Sequence, residues 1–212
     1  MMRRTRFLAC TAALLLASCG ALRSPPPVNT FQLTYPPPAP AGTTPLPVTV
    51  RVAPFGVVGT YDREGFVYRT SEYDVGVDPY NRWVASPASM VADLLARDLA
   101  DSKVVQAVLQ SPSALLSDYE LSGQIESLEE RDEGNGCDAH LRVRILLVRA
   151  PARGQRQPVL QQGFYADEKC TSGDPASYAA AMSRALQSVS EQVRAAILPL
   201  LTVGGGAAAS FP

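Results

Sequence analysis

Cys137, His140 and Cys170 are the residues of this chain best suited to direct chemistry. Two thiols and the only imidazole could hold a zinc ion, or one thiol and the imidazole could form a nucleophilic relay. Both readings lack a part. A structural zinc site takes four protein ligands and no fourth is evident, and no G-x-S-x-G elbow marks a serine nucleophile. The run GNGCDA at 134–139 fits G-x-G-x-x-[GA], which cradles a pyrophosphate where it opens a helix. Here the strictly alternating HLRVRILLV follows, the pattern of a strand, so the glycines read as a hairpin loop. Glu126, Glu129, Glu130, Asp132 and Glu133 crowd the same region, but general acid–base work needs two carboxylates converging in a cleft. A run in an edge loop beside glycines reads as solvated charge. No catalytic residue, metal site or cofactor is expected, and the chain is read as a non-enzyme.

Cys19 offers a different chemistry. The opening MMRRTRFLACTAALLLASCG sets Arg3, Arg4 and Arg6 before an apolar run, Phe7 to Ala17, that is far shorter than the roughly 20 residues of a bilayer span. It reads as an export signal. Its end, Leu16-Ala17-Ser18-Cys19, resembles the lipobox of bacterial lipoprotein precursors, whose cysteine takes a diacylglycerol before cleavage on its N-terminal side. Each buried acyl CH₂ contributes about 0.8 kcal/mol, so two or three chains on Cys19 would anchor lastingly where one would not. Gly20 stands where inner-membrane-retained lipoproteins of enteric bacteria typically carry Asp, which favours the outer membrane, facing the periplasm. On this reading residues 1–18 are the signal peptide and 19–27 a lipidated, Pro-rich tether. Residues 28–200 are one domain, and the aperiodic 201–212 a disordered tail. Loss of 1–18 removes three of the 19 basic residues and none of the 20 acids, leaving a net charge near −4, which argues against nucleic acid. At 46 % hydrophobic residues the body can bury one proper core.

The elements that must position these residues follow from periodicity. VNTFQLTY (28–35) reads as a first strand, PPPAPAGTTP (36–45) as a loop, and PVTVRVAPF (47–55) alternates as a half-buried strand. Phe66, Tyr68 and Thr70 share one face and Tyr73, Val75 and Val77 another, giving two strands that turn near Ser71-Glu72. Ser86-Pro87 is a helix start, and Met90, Val91, Leu94, Leu95 and Leu99 recur at helical spacing. KVVQAVLQ (103–110), DYELSGQIESLEE (118–130), HLRVRILLV (140–148) and PVLQQGFYADEKC (158–170) are strands. Asp174-Pro175 opens a second helix carrying Tyr178, Met182, Leu186, Val189, Val193 and Ile197, which stops at Pro199. Two helices among six to seven strands joined by short, hairpin-like links give an α+β two-layer sandwich. Its sheet is expected to be largely antiparallel, with both helices on one face. If the last hairpin turns near 153–154, Cys137 and Cys170 lie opposite one another and form a disulfide in an oxidising compartment. Closing a loop of about 34 residues contributes roughly 3 to 4 kcal/mol in the chain-entropy model.

Six of the fifteen aromatic residues, Tyr61, Phe66, Tyr68, Tyr73, Tyr80 and Trp83, fall between positions 61 and 83. Such a stretch is core or contact surface. Alternation assigns Phe66, Tyr68 and Trp83 to the core, and leaves Tyr61, Tyr73 and Tyr80, with Arg82, as candidates for binding a partner. A family resemblance rests on this stretch. A lipobox and an APF strand end are followed by Tyr61-Asp62-Arg63, Phe66-Val67-Tyr68-Arg69 and Tyr80-Asn81-Arg82-Trp83-Val84-Ala85-Ser86-Pro87. With Asp118-Tyr119-x-Leu121-x-Gly123 they make residues 28 to 198 similar to the ABC-type transport auxiliary lipoproteins. That family includes the lipoprotein of paraquat-inducible loci; the pair Cys137/Cys170 is outside the pattern. The resemblance implies a non-enzymatic partner of a system moving lipids between two membranes, in which an inner-membrane ABC transporter works with MCE-domain proteins that bridge the periplasm. Association with further copies of this chain is compatible with it. Two other readings stay open: a stand-alone lipoprotein binding a small apolar ligand, and a pilot for a secretin-like pore. A ligand binder would show a cavity of several hundred Å³ between helices and sheet; a docking module would show a packed core and an exposed aromatic patch.

Overall fold

A computed structural model describes residues 26–132, 134, 136–150 and 154–201. The signal, Cys19, most of the tether, Glu133 and residues 202–212 lie outside them. Nine strands and two helices follow in the order β1 (Asn29–Phe31), β2 (Leu46–Val52), β3 (Gly56–Val57), β4 (Gly65–Arg69), β5 (Val75–Trp83), α1 (Pro87–Asp101), β6 (Val105–Gln110), β7 (Tyr119–Asp132), β8 (Cys137–Arg149), β9 (Gln157–Cys170) and α2 (Pro175–Ile197). Among the described residues no helix is long and apolar enough to cross a membrane.

The strands form one mixed sheet centred on β7. Its one edge pairs with β8 along nearly its whole length, and β8 pairs with β9, all antiparallel. Its other edge takes β2, β3 and β4 in turn, at Tyr119–Leu121, Gln124–Ile125 and Glu130–Arg131, each parallel to it. β6 lies parallel beside β2, while β5 pairs antiparallel with β4 and carries β1 in parallel. Five of the eight pairings are parallel, so the expected antiparallel sheet of six to seven strands is corrected to a mixed sheet of nine. The physical reason is that a short link need not reverse the chain. The links at 53–55 and 58–64 leave β2, β3 and β4 running forward as three pieces of one interrupted strand along β7.

Both helices pack on one face. Alternation puts Ala139, Leu141, Val143, Ile145 and Leu147 of β8 in a single core with Leu121, Ile125 and Leu128 of β7 and Phe164 and Ala166 of β9. Tyr178, Met182, Leu186, Val189, Val193 and Ile197 of α2 all point into that core and are at most 1 % exposed, as their spacing requires. Asp174 caps α2 by accepting from the N–H of Ala176 (3.0 Å) and Ser177 (3.2 Å). Ser86 makes no such bond, and α1 begins with Pro87 at its first position.

The sheet pairing of the first strand ends at Phe31 rather than at residue 35. Beyond it the chain leaves the sheet and lies across the helices, burying Leu33 and Tyr35. There the Thr34 N–H reaches Ser183 Oγ (3.1 Å), and Tyr35 OH donates to the buried Asp98 (2.8 Å), which also accepts from Ser190 Oγ (2.6 Å). Arg97 stacks 4.5 Å from the Tyr35 ring and donates to its carbonyl (3.0 Å). Burial, with Asp98 beside it, holds the Tyr35 phenol well above its ordinary range.

Candidate partner-docking hairpin

The aromatic stretch folds into the hairpin β4–β5 and the loop before it, and the hairpin's register sorts its side chains. Val67 stands opposite Val77, Tyr68 opposite Gly76 and Arg69 opposite Val75, so the link is the five residues 70–74 around the expected turn. The Thr70 N–H donates to the Asp74 carbonyl (3.1 Å), its hydroxyl to Asp74 Oδ2 (2.5 Å), and the Asp74 N–H to the Ser71 carbonyl (3.4 Å). Tyr73 projects from this tip at 89 % exposure. Further along β5, Asp78 Oδ1 accepts from the N–H groups of Tyr80 (2.7 Å) and Asn81 (3.0 Å) while the register with β4 shifts. This bulge turns Tyr80 outward at 43 % exposure, and Arg82 is exposed beside it.

Of the expected core aromatics, Phe66 and Trp83 are buried and Tyr68 is not. Phe66 sits 4.4 Å from Trp83, 4.9 Å from Tyr178 and 5.1 Å from Phe31 between ring centroids. This cluster closes the core at the root of the hairpin. Trp83 Nε1 and the Tyr178 hydroxyl find no hydrogen-bond partner in it, and burial pushes the Tyr178 phenol well above its ordinary range. Tyr68, two positions beyond Phe66, is 40 % exposed and lays its ring over Gly76, where an added Cβ would collide with Cζ and the hydroxyl. Alternation set its face; burial depends on what covers that face, and the aromatic cluster ends at Phe66.

Tyr61 is the converse correction. Read as a surface candidate, it is 6 % exposed, because its hydroxyl donates to Glu129 Oε2 at 2.7 Å on the sheet face away from the helices. Glu129 corrects the reading of its neighbourhood as solvated loop charge. Residues 126–132 belong to the central strand β7, and the Glu129 side chain is 1 % exposed. Its Oε1 accepts from Arg69 Nε (3.0 Å) and Arg131 Nε (2.9 Å). Burial alone would raise this carboxyl, but hydrogen bonds from Arg69, Tyr61 and Arg131 outweigh it and hold the group below the usual carboxylate range. The same bond raises Arg69, while burial and the Glu129 bond raise the Tyr61 phenol. The alternation of β7 breaks at a bulge between Ile125 and Ser127. That bulge carries Glu129 to the far face, and its sequence signal was a strand whose apolar phase slips at Leu128.

Cys137 and Cys170 are joined in a disulfide across β8 and β9, as the hairpin register required, with Cα atoms 5.0 Å apart. Both thiols are used there, so their approach to Glu130 leaves no free ligand pair. His140 pairs with Asp167 on the neighbouring strand (2.5 Å). Glu130, on the helix side, is held above its ordinary range by burial and by Asp132 and Asp78; with Tyr68 and Asp132 it lines a hollow of about 170 Å³ beside the hairpin. A separate open groove of about 330 Å³ runs between residues 52–55 and the start of α1, lined in part by Phe55, Ala88 and Ala92.

Half of the twelve large apolar side chains exposed among the described residues belong to this one region: Tyr68, Tyr73, Val75, Val77, Tyr80 and Val84. Tyrosine and valine so concentrated, over a well-packed root, have the composition that protein contact surfaces favour. The crystal structure of a Xanthomonas campestris protein assigned to DUF330 shares this fold, at 21 % identity and a TM-score of 0.72 over 81 % of this chain and 95 % of that one. A crystal structure of an uncharacterized protein shares it at 16 % identity and a TM-score of 0.62, over 81 % of this chain and 99 % of the other. No curated protein matches. The model of the family described as the ABC-type transport auxiliary lipoprotein component matches residues 31–194, from β1 through all but the last residues of α2, and the chain belongs to that family.

Proposed function

We propose that this chain is an outer-membrane-anchored, periplasm-facing accessory of an ABC/MCE-type intermembrane lipid transport system, without enzymatic activity, and that β4–β5 docks the MCE-domain partner. The observation that carries the reading is the exposed aromatic hairpin on a family member whose role is auxiliary to transport. A tether of eight residues, 20–27, reaches only about 25 Å at the polyproline rise. A domain held that close to its membrane cannot cross the periplasm, so a bridging protein has to come to it. Tyrosine suits such a contact because it covers much area while fixing few rotors.

Immobilised MCE-domain protein from the same transport locus should capture the mature wild-type chain. Tyr73→Ala or Tyr80→Ala should weaken capture by more than about 1 kcal/mol with the fold intact. Normal capture by both variants would remove the hairpin from the interface. Lipid co-purifying in the groove beside Phe55, with no capture, would favour a stand-alone ligand binder instead.

A further inference from the structure

Among the described residues, the tip that presents Tyr73 has local hydrogen bonds of its own, and the side chain of Arg69 ties it to the body of the sheet. Arg69 ends β4 and uses three of its donors in three directions. Nε binds the buried carboxylate of Glu129 (3.0 Å), Nη2 approaches the Tyr61 hydroxyl (3.5 Å), and Nη1 donates to the carbonyl of Glu72 (2.8 Å), the residue before Tyr73. Guanidinium is planar, with donors in a rigid fork, so fixing Nε fixes where Nη1 points. Glu129 is itself buried and held: it is 1 % exposed, and Tyr61 and Arg131 bind it besides Arg69.

We propose that Arg69 is the positioning residue of the docking surface, transmitting the fixed geometry of the Glu129 cluster to the tip and so holding Tyr73 in a binding orientation. The proposal rests on the reading that β4–β5 carries the interface. Simple charge neutralisation does not account for the arrangement. Arg131 donates to the same Glu129 oxygen at 2.9 Å and supplies the same charge, yet among the described residues it makes no hydrogen bond to 70–74. Two arginines on one carboxylate, of which one alone reaches the tip, separate the two roles.

The test compares Arg69→Met with Arg131→Met in the mature chain, alongside Arg69→Lys and Tyr73→Ala. Backbone ¹⁵N–¹H heteronuclear NOEs at Ser71 to Asp74 read the order of the tip, and capture by the MCE-domain protein reads docking. Arg69→Met should lower the NOEs at the tip and weaken capture about fivefold or more, while Arg131→Met leaves both near wild type although its melting temperature also falls. Arg69→Lys should behave like Arg69→Met, because the three acceptors are met by three different nitrogens of the planar fork and the single nitrogen of an ammonium cannot stand in all three places. Equal loss of tip order in the two methionine variants, or none in either, overturns the proposal. So does capture that is lost with Tyr73→Ala but kept with Arg69→Met. If capture survives Tyr73→Ala and Tyr80→Ala alike, it is the docking reading that falls; the NOE comparison still decides whether Arg69 holds the tip.

Discussion

Glu129 gathers Tyr61, Arg69 and Arg131 around one buried carboxylate on the outer sheet face. Replacing it with Gln keeps the volume but leaves two guanidiniums without their counter-charge. Arg69 and Arg131 keep partial access to water, with side chains 26 % and 39 % exposed, so the loss is discounted from that of a sealed ion pair. We expect Glu129→Gln to lower stability by about 2 kcal/mol at pH 7, measured by urea unfolding. The pH dependence has a definite sign. The folded-state carboxyl titrates below its ordinary range, so its contribution is fully present above that range. The gap between wild type and variant should hold from pH 7 to about 5 and close as the pH falls below the normal carboxylate range. A gap that widened in acid would contradict the assignment. The aromatics divide on the same grounds. Trp83→Ala, 1 % exposed and packed on Phe66, should cost about 3 to 5 kcal/mol, while Tyr73→Ala and Tyr80→Ala should stay within about 1 kcal/mol. Tyr61→Phe falls between the two, at about 1.5 to 3 kcal/mol, through the lost bond to Glu129.

At the scale of elements, the long hairpin β8–β9 shows which parts of the fold were legible in advance. Strict alternation from Leu141 to Leu147 and a turn near 153–154 were enough to place Cys137 opposite Cys170, since register in an antiparallel pair is counted outward from the turn. Replacing either cysteine with Ser, or reducing the bond, should lower stability by roughly 3 kcal/mol in thermal unfolding; two free thiols in protein from an oxidising compartment would contradict the pairing. The outer edge of β9 is guarded. Pro158 offers no N–H, and α2 side chains take outward carbonyls, Gln192 that of Tyr165 (3.2 Å) and Arg184 that of Lys169 (2.9 Å). Nothing comparable could be read for β2, β3 and β4. Their links are as short as hairpin turns, and only pairing with β7 shows that the chain runs on.

At the scale of the whole molecule, the segment after β1 ties the sheet to both helices through Thr34–Ser183 and Tyr35–Asp98, so pull on an anchor at Cys19 would be carried through β1 and these contacts. Cys19→Ala should abolish labelling with radioactive palmitate and release the domain from the outer-membrane fraction. A variant that still fractionates there would refute the anchor. The sequence by itself determined both helices, the principal strands and the buried stripe of α2, because each is set by periodicity and by neighbours a few positions apart, and the disulfide, because antiparallel register is counted outward from one turn. Tertiary structure alone decided strand direction, the burial of Tyr61 and Glu129 and the exposure of Tyr68. Alternation states which face of an element a side chain occupies. Whether that face meets water depends on segments tens of positions away, and on a bulge in β7 that local patterning shows only as a slip of the apolar phase at Leu128.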